Sequence, residues 1–549
     1  MDVLCDPAPV LAELRDHLGF RRIGAGYQVL NDLAQQLDQL SPAHPCSGVL
    51  VGLVAQWVDA GWGTPGRLSR LLDRFPRHQR GSLPLVDYLH LRMAEGAIAM
   101  QAEDFEAACG HFRFVQSLDS EAGDTELLAI ANFWTGRCLR RMGQYDDAVH
   151  YTTRGEELAL ARGYGPMAAI MQSTLSWLAF QKGKLGEALV LLRRAEEALE
   201  QTDDYLHRGN VKSAYGRVAR RQGRYEHAVT CFEAAIAEYR RGGRGQAQLG
   251  RALSNLAFVK RVLALELQKD LDRITASRRS GREDASEAGA IMREQRLRIV
   301  RTRTEARRHL EESLAIYNPL HNHHGIAGVH INSGFLHLDE GELDLASADA
   351  AEAFRFGEEK RDAIIMARAR TLQCLIEHQA LEEQVGDPAQ HYQAADTYAR
   401  EAVHFAGQTQ DSRLLARAYI WHGLTIAADP AGDKEAAHRC YEEANQLLQG
   451  LSPDQRPTWD DLERLKAHVV RTRPIEPALR AWSAGVTGDK TFQEIEEEFA
   501  RIVIPRVWER EGRKISRVAG KLSISPKKVR RILYSLGLLE RADGENPEG

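Results

Sequence analysis

Residues 136–148 read GRCLRRMGQYDDA, and residues 216–228 read GRVARRQGRYEHA, 80 positions further on. Both stretches begin with a glycine, carry a Gly-Xaa-Tyr-acidic turn in the middle and end with an alanine. The closing alanine recurs at positions 108, 148, 188 and 228, again at 306 and 346, and in looser copies at 395 and 437. A unit of about 40 residues is therefore repeated along the chain, as in proteins built from stacked structural repeats.

The repeated positions predict pairs of packed helices. A small residue on the first helix lets the second helix approach closely, and the alanine of the second helix meets it there. The glycine turn ends one helix, and the acidic residue favours the start of the next. This pattern resembles the tetratricopeptide repeat over about residues 83–450. The resemblance implies an all-α, tetratricopeptide-like helical-hairpin solenoid.

The other segments of the 549-residue chain precede or follow this solenoid. Residues 1–82 are helical in pattern but diverge from the repeat, so they are predicted to form an N-terminal cap. Residues 451–490 contain several prolines and are predicted to be a linker. Residues 491–541 form a small C-terminal domain, and residues 542–549 are predicted to be a disordered tail.

One repeat is interrupted by a charged insert at 268–302. Apolar residues keep a helical spacing just before the insert, at Val262 and Leu265, and in its second half, at Ile291, Leu297 and Val300. This spacing favours a protruding helical arm with a flexible tip at 277–290. The alternative is a disordered loop, because charged segments of low hydrophobicity often stay unstructured.

The C-terminal domain contains a second recognisable pattern. Residues 514–533 read KISRVAGKLSISPKKVRRIL and predict two short helices around a tight turn. Ser516 and Ser525 are placed to cap these helices, and Pro526 occupies the favoured first position of the second. Ala519 is the small residue where the helices cross. The predicted shared core consists of Val518, Leu522, Ile524, Val529 and Leu533.

Residues 513–539 are similar to the Fis-family helix-turn-helix, also found in NtrC-type activators, although Ser523 stands where that family often has glycine. The resemblance implies that the second helix enters the major groove of double-stranded DNA. It also implies a homodimer formed through the preceding segment 492–511, which Pro505 should kink or divide. The implied DNA-binding residues are Ser525, Lys528 and Arg531 for base edges, Lys527 and Arg530 for phosphates, and Tyr534, Arg513, Lys514 and Arg517 on the same basic surface.

The charge distribution agrees with a DNA-binding domain. Residues 501–541 hold 12 Lys and Arg against three Asp and Glu, a net charge of +9. The whole chain carries −5, so the remainder carries −14. A basic tail on an acidic body is expected of a protein that reads DNA. The alternative is a positively charged helical cap that only seals the solenoid.

In a tetratricopeptide solenoid the first helix of each hairpin lines the concave face, so the resemblance also implies a partner-binding groove. The residues predicted there are Phe133, Arg137, Arg140, Arg141, Asn210, Ser213, Arg217, Arg220, Arg221, Lys260 and Arg261. Stacked arginines can receive an acidic peptide, a carboxyl terminus or a phosphate-bearing ligand. The alternative is an ordinary solvated face whose arginines pair with carboxylates of neighbouring hairpins.

Several other classes of site find no support. Residues 488–491 lack the Gly-Lys pair of a phosphate-binding loop, and the histidines at 321, 323, 324, 330 and 337 lack a fixed ligand geometry. No catalytic, cofactor or metal site is therefore predicted. No run of 18 apolar residues occurs, no secretory signal opens the chain, and seven cysteines are widely dispersed. A cytoplasmic protein with reduced thiols is expected.

Together these features predict a non-catalytic bacterial transcription regulator. Its repeats would bind a partner protein or peptide, and its C-terminal domain would bind double-stranded DNA as a possible dimer. One alternative is a scaffold or adaptor that does not bind DNA. Another is a sensor that responds to a peptide or other ligand in the groove.

Overall fold

A computed structural model describes residues 6–118, 121, 123–243, 245–279, 285–429, 432–449, 456–472 and 491–539. Within these ranges all regular secondary structure is helical, as the sequence predicted. The chain forms two compact units, Met1–Lys466 and Ala467–Gly549. Each unit is described below by itself.

The N-terminal segment is a layer of short helices. They are α1 (Ala8–Gly19), α2 (Ile23–Asp32), α3 (Ala34–Leu37), α4 (Ser47–Asp59) and α5 (Pro65–Asp73), followed by a 3-10 helix (Arg77–Ser82). Helix α4 is buried from Ser47 to Val58. The carboxylate of Asp87 accepts hydrogen bonds from the backbone N–H groups of Gly48 (2.6 Å) and Val49 (3.1 Å), which satisfies the first turn of this buried helix. The described part of the predicted cap is therefore helical.

The repeat body consists of paired helices. The pairs are α6 (Leu85–Gln101) with α7 (Phe105–Gln116), α8 (Thr125–Arg141) with α9 (Tyr145–Ala161), α10 (Gly165–Gln181) with α11 (Leu185–Leu199), α12 (Tyr205–Arg221) with α13 (Tyr225–Gly242), α14 (Gln246–Arg279) with α15 (Ala285–Tyr317), α16 (His323–Asp339) with α17 (Leu343–Glu359), α18 (Ala363–Glu382) with α19 (Pro388–Gly407), and α20 (Ser412–Ala428) with α21 (Lys434–Leu448). This order confirms a helical-hairpin repeat.

The repeated small residues lie where the two helices of a hairpin meet. A Cβ on Gly136 would lie 2.2 Å from Thr152 Oγ1, so only glycine fits there. In the turns, Gly143 and Gly223 have φ angles of +79° and +70°, which side-chain-bearing residues rarely adopt. The alanines of the repeat are at most 2% exposed, at Ala108, Ala148, Ala188, Ala228, Ala306, Ala346, Ala395 and Ala437.

The charged insert forms part of two long helices. Helices α14 and α15 extend well beyond the repeat length and pack against each other, which favours the helical arm over the disordered loop. Leu271, Met292 and Ile299 form the buried contact along the arm. Leu297 and Val300, two of the residues whose apolar spacing predicted the arm, are 71% and 63% exposed. The apolar face was misplaced because a charged helix with few apolar residues gives a weak periodicity.

Contacts also join distant segments of the repeat body. The backbone N–H of Gln410 donates to Gly143 O (2.9 Å), and Gln410 Oε1 accepts from the N–H of Asp146 (2.7 Å). These bonds join the turn after α8 to the turn before α20. Two turns that are 264 residues apart in the chain therefore meet across the repeat body.

The N-terminal layer is fixed to the middle of the repeat body by buried charge pairing. Arg21 Nε donates to Asp204 Oδ2 (2.7 Å), with side chains 5% and 2% exposed. Asp203 Oδ1 also accepts from the N–H of Ile23 (2.7 Å), at the start of α2. These contacts connect residues about 180 positions apart, so they depend on the complete fold.

Glu126, in the first turn of α8, is buried without a hydrogen-bond partner for either carboxylate oxygen among the described residues. Burial raises its pKa to about 7, while Arg15 acts to lower it and Asp124 acts to raise it. Because the folded pKa exceeds the ordinary value of 4.5, the folded state holds this proton more tightly. Ionisation of Glu126 therefore costs stability as the pH rises from about 4.5 to 7.

We expect Glu126→Gln to equal the wild type in stability near pH 4.5 and to exceed it by up to about 3 kcal/mol at pH 8. Urea denaturation of both proteins across this pH range measures the difference. Glu383→Gln, at an exposed carboxylate, should show no such trend. A stability difference for Glu126→Gln that stays constant with pH would contradict the assigned cause.

The repeat body ends with one more helix, α22 (Arg456–Thr472). Leu462 and Leu465 are buried, and a Cβ at Gly423 of α20 would meet Leu465. The structure thus differs from the predicted linker 451–490 over residues 456–472. Proline is tolerated in the first turn of a helix, so the prolines here do not mark a connector throughout. The remainder of that linker and the predicted tail 542–549 lie outside the described residues.

The C-terminal unit contains α23 (Phe492–Arg510), α24 (Ile515–Leu522) and α25 (Pro526–Ser535). A shared core of Ile504, Trp508, Val518, Ala519, Val529, Ile532 and Leu533 holds them together. Pro505 lies inside α23, so it does not divide that helix. Ser523 at the turn has a φ of +52°, and Ser525 Oγ caps α25 by accepting from the N–H of Lys528 (3.2 Å). The cap predicted at Ser516 is wrong, because α24 begins one residue before it, at Ile515.

No helix among the described residues combines the length and the apolar character needed to cross a membrane.

Candidate functional site

The inner surface is built from equivalent positions of successive repeats. Arg137, Arg140 and Arg141 close α8, and Arg217 and Arg220 stand exactly two repeats later on α12. Residues three and four apart share one face of a helix. The repeat therefore places guanidinium groups at the same height on neighbouring inner helices.

A cavity of about 110 Å³ lies at the centre of this surface. It brings together six of the predicted groove residues: Phe133, Arg137, Arg140, Asn210, Ser213 and Arg217. The structure adds residues that the sequence analysis did not identify, including Asp59, Ser173, Trp177, His207, Tyr239 and Arg251. The cavity wall is therefore polar and dominated by arginine.

One of the four arginines in this cavity is neutralised. Arg137 Nη1 donates to Asp59 Oδ2 (2.6 Å), and the indole of Trp134 donates to the same oxygen (3.2 Å). Burial acts to raise the pKa of Asp59, but the charge of Arg137 outweighs it and the pKa is lowered. Asp59 is the only carboxylate among the described residues that line the cavity, and it is already paired.

The other three arginines have no ion-pair partner among the described residues. Arg140 lies over the ring of Trp177, 4.8 Å from its centre, and its Nε is buried without a hydrogen-bond acceptor. Arg217 Nη1 donates only to Ser213 Oγ (3.2 Å) among the bonds of its side chain that the structure shows. Arg251 hydrogen-bonds to the side chain of Tyr317. Three positive charges therefore converge on one cavity without compensation.

Burial and repulsion by neighbouring arginines disfavour the charged forms of Arg140 and Arg217. Burial lowers the pKa of Arg140, and Arg251 and Arg141 lower it further. Burial and Arg251 likewise lower the pKa of Arg217 to about 9. Since charged arginines destabilise one another here, an anion in the cavity would relieve the repulsion.

Arg141 faces a different and larger cavity, of about 600 Å³. Its Nη2 lies 3.2 Å from Glu103 Oε1. His324 and Asp362 line the same cavity and are paired with each other at 2.6 Å. Carboxylates outnumber the Lys and Arg side chains in the lining of this cavity (Glu103, Asp104, Glu106, Glu359 and Asp362 against Arg141, Lys360 and Arg361), so it differs from the arginine-rich central cavity.

The remaining predicted groove residues do not reach the central cavity. Arg220 lies over the ring of Phe258 at 4.6 Å, and burial together with Arg368 lowers its pKa to about 10. Arg221 is buried and donates to Phe180 O. Lys260 pairs with Glu305 (2.5 Å), and Arg261 pairs with Asp339 (2.5 Å). Lys260 and Arg261 therefore fit the alternative better, in which groove side chains pair with carboxylates of neighbouring hairpins.

A positional signal for some of the missed residues was present in the sequence. Trp177 stands 40 residues after Arg137 and 40 before Arg217, and Ser173 stands midway between Phe133 and Ser213. Arg251 lies 41 residues after Asn210, one position off this spacing. Projecting the groove positions through every repeat would have found Ser173 and Trp177 but not Arg251.

The C-terminal unit presents its basic residues differently from the prediction. Lys528 pairs with Glu496 (2.5 Å) and Arg531 with Glu497 (2.7 Å), both on α23. Two of the three side chains assigned to base edges, Lys528 and Arg531, therefore have carboxylate partners within their own unit. Arg530 is exposed, Arg513 pairs with Glu509 (2.9 Å), and Lys514 precedes the first residue of α24. Lys527 and Arg517 are exposed, and Tyr534 is half-buried.

Three of the five histidines considered as metal ligands, His324, His330 and His337, contact carboxylates. Asp349 accepts contacts from both His330 (2.7 Å) and His337 (2.9 Å). Among the described residues, no group of three or more His, Cys, Asp or Glu side chains has a geometry that could hold a metal ion.

Comparison with known proteins gives a likeness of fold. No family model matches the chain. No curated protein matches its sequence. A Rap protein complexed with competence and sporulation factor superposes with a TM-score of 0.52 at 13% identity, over 73% of this chain and 97% of that protein.

Two further structures are similar at lower scores. The apo form of RapI gives a TM-score of 0.37 at 14% identity, over 70% of this chain and 99% of that one. Aspartyl phosphate phosphatase F from Bacillus subtilis gives 0.36 at 11% identity, over 80% and 94%. At the first of these three scores, the likeness establishes a tetratricopeptide-like, all-α helical-hairpin repeat fold shared with a Rap protein.

Proposed function

We propose that the repeat body binds an anionic segment of a partner protein or peptide, and so acts as a ligand-responsive sensor or adaptor. The observation that supports this most is the set Arg140, Arg217 and Arg251, three uncompensated arginines in one cavity. Arg140 and Arg217 are half-buried and Arg251 is exposed. Like charges held close together without counter-charges disfavour the free protein, and a bound anion would relieve that repulsion. The proposed activity is binding and not catalysis.

The fold adds support of a general kind. The Rap protein that shares it is complexed with competence and sporulation factor, so a repeat body of this type accommodates a bound partner. Tyr239, Asn210 and Ser213 add hydrogen-bonding groups to the wall of the cavity. A bound segment would thus find both positive charge and hydrogen-bonding side chains in the cavity.

The double substitution Arg140→Gln and Arg217→Gln tests the proposal. We expect it to weaken binding of a fluorescein-labelled hexaglutamate peptide by about 100-fold, since each charged hydrogen bond contributes about 1.5–3 kcal/mol. Fluorescence anisotropy at low salt measures this. The same substitutions should raise the melting temperature of the free protein, because they remove repulsion.

Arg154→Gln provides the matched control. Arg154 is an exposed arginine on α9, the second helix of its hairpin, and it pairs with Glu157 at 3.2 Å. Its replacement removes the same charge away from the cavity and should leave peptide binding unchanged. If the double variant binds hexaglutamate as tightly as the wild type does, the inner surface is not the binding site.

A second candidate function is DNA binding by the C-terminal unit, which we propose on one specific observation. Its described residues form three helices with a left-handed turn at Ser523, a serine cap at Ser525 and an exposed Arg530 on the last helix. A short capped helix bearing basic residues can enter a major groove. The pairs of Lys528 and Arg531 with α23 would then compete with DNA.

That competition makes a testable prediction for the full chain. We expect Glu496→Gln with Glu497→Gln to tighten binding to duplex DNA by about threefold to tenfold, since exposed ion pairs contribute about 0.2–1 kcal/mol each. Electrophoretic mobility shifts at 50 mM salt measure this, with Glu383→Gln as the control for loss of an exposed negative charge. Absence of any duplex binding by the wild type and by the double variant would refute the candidate.

A further inference from the structure

The central cavity has a second, smaller part that the arginines do not explain. A space of about 30 Å³ adjoins it and shares Asp59, Phe133, Ile170 and His207 with it. This space has room for about two water molecules. The two spaces are therefore neighbours that share part of their walls, one cationic and the other narrow and less polar.

Gln56 on α4 lines the narrow end. It is 4% exposed, and neither Nε2 nor Oε1 of its amide has a hydrogen-bond partner among the described residues. A buried amide with neither group paired is costly and rare. Because its N–H donates and its C=O accepts, this side chain complements one peptide group.

Part of the wall around Gln56 is apolar and includes Ile130, Met167, Ile170 and Met171. Arg21, Asp59 and His207 form its polar part. Methionine side chains are adaptable and fit irregular surfaces. The small volume excludes a large side chain, so a segment bound there would present a small residue, such as alanine or glycine, next to its peptide group.

The cationic end carries more charge than a carboxylate requires. A carboxylate offers two oxygens, which one guanidinium fork can bind in a bidentate manner. A phosphate monoester offers three acceptor oxygens and a charge of about −1.5 to −2 at pH 7. Arg140, Arg217 and Arg251 present three forks to a single cavity, and Asp59, the one carboxylate in its described lining, is taken by Arg137. The number of forks and the uncompensated charge both match a phosphate better than a carboxylate.

We propose that the inner site binds a phosphorylated residue of a peptide segment, with its phosphate held by Arg140, Arg217 and Arg251 and the adjacent peptide group held by Gln56. This inference rests on the proposed function, that the inner surface binds an anionic partner segment. It adds the chemical class of the anion and the part of the site that recognises the peptide chain.

Isothermal titration calorimetry of the full chain tests the inference with four probes. Three are pentapeptides, blocked at both ends, in which a central phosphoserine, glutamate or serine is flanked by two alanines on each side. The fourth is inorganic phosphate. We expect the phosphoserine peptide to bind about tenfold or more tightly than the glutamate peptide, because each additional charged hydrogen bond strengthens binding by about that factor. The serine peptide should not bind.

Substitutions separate the two ends of the site. Arg251→Gln should weaken binding of the phosphoserine peptide and of inorganic phosphate by about the same factor, roughly tenfold. Gln56→Leu should weaken only the peptide. Arg154→Gln on the outer helix should change neither. Melting temperatures check that every variant folds, and Gln56→Leu is expected to keep or raise that of the wild type because it removes unpaired buried polar atoms.

Each contrary result would overturn a different part of the proposal. Equal affinities of the phosphoserine and glutamate peptides would overturn the assignment of a phosphate while leaving the proposed anionic partner intact. Inorganic phosphate binding as tightly as the phosphopeptide, with no effect of Gln56→Leu, would assign the site to a free small phosphate and overturn the peptide. Failure of the phosphoserine peptide to bind while hexaglutamate binds would overturn the inference alone. Failure of both would overturn the proposed function as well.

Discussion

Replacing Asp204 by alanine is expected to lower the free energy of unfolding by about 3–5 kcal/mol, because it leaves the guanidinium of Arg21 buried without its counter-charge. The two side chains are only 2% and 5% exposed and meet at 2.7 Å. Burial acts to raise the pKa of Asp204, but Arg21 and His207 outweigh it and hold the pKa well below its usual range. Asp204 also caps α12 by accepting from the N–H of His207 (3.1 Å).

Asp204 is both a helix cap and the partner of a buried arginine. Asp104→Ala is the control that removes a helix cap alone. Asp104 caps α7 by accepting from the N–H of Ala107 (3.1 Å), at an exposed site without a buried cation. Its loss should cost about 1 kcal/mol, the usual value for a helix cap. Urea denaturation of both variants gives the difference. Equal losses at Asp104 and Asp204 would show that the pair with Arg21 contributes nothing beyond the cap.

Removal of the Phe232 side chain is expected to cost about 3–5 kcal/mol, the range for truncating a buried aromatic residue. Phe232 is fully buried on α13, four residues after Ala228. A Cβ at Gly216 would lie 2.9 Å from its ring, so the glycine is required for this close packing. Phe232→Ala leaves a cavity between the two helices that the rigid hairpin cannot close.

Val190→Ala is the control for loss of apolar surface at an exposed position. Val190 lies on α11, the second helix of its own hairpin, and is 48% exposed. Its truncation should change the stability by no more than about 0.5 kcal/mol. Thermal and urea unfolding of both variants measure the contrast. A small effect at Phe232 would mean that this position does not have the packing role assigned to it.

The repeat could be read from the sequence because its physical requirements are local. A close approach of two helices needs a small residue, and a left-handed turn needs glycine, so both leave a mark at a fixed spacing. The predictions at Gly136, Gly143 and Ala148 are confirmed for this reason. The arm was harder to place, since two long helices that contact mainly each other bury few residues.

The candidate site was predictable only in part. The sequence located Arg140 and Arg217 on the inner face through their repeat positions. It did not find Trp177, although this residue stands 40 positions after Arg137, and it had no equivalent signal for Arg251, which lies one position off the repeat spacing. Gln56 had no signal at all, since it comes from the N-terminal layer and joins the site only when α4 packs against the repeats.

The amino-acid sequence determined the helical hairpins and the faces on which the arginines lie, because both follow from spacing along a helix. Only the tertiary structure decided which arginines have a carboxylate partner. Arg137 meets Asp59, 78 residues away, and Arg261 meets Asp339, also 78 away, whereas Arg140 and Arg217 meet no carboxylate of the described chain. The energy of a buried charge depends on neighbours that distant segments supply. That dependence is why the binding site is a property of the folded chain.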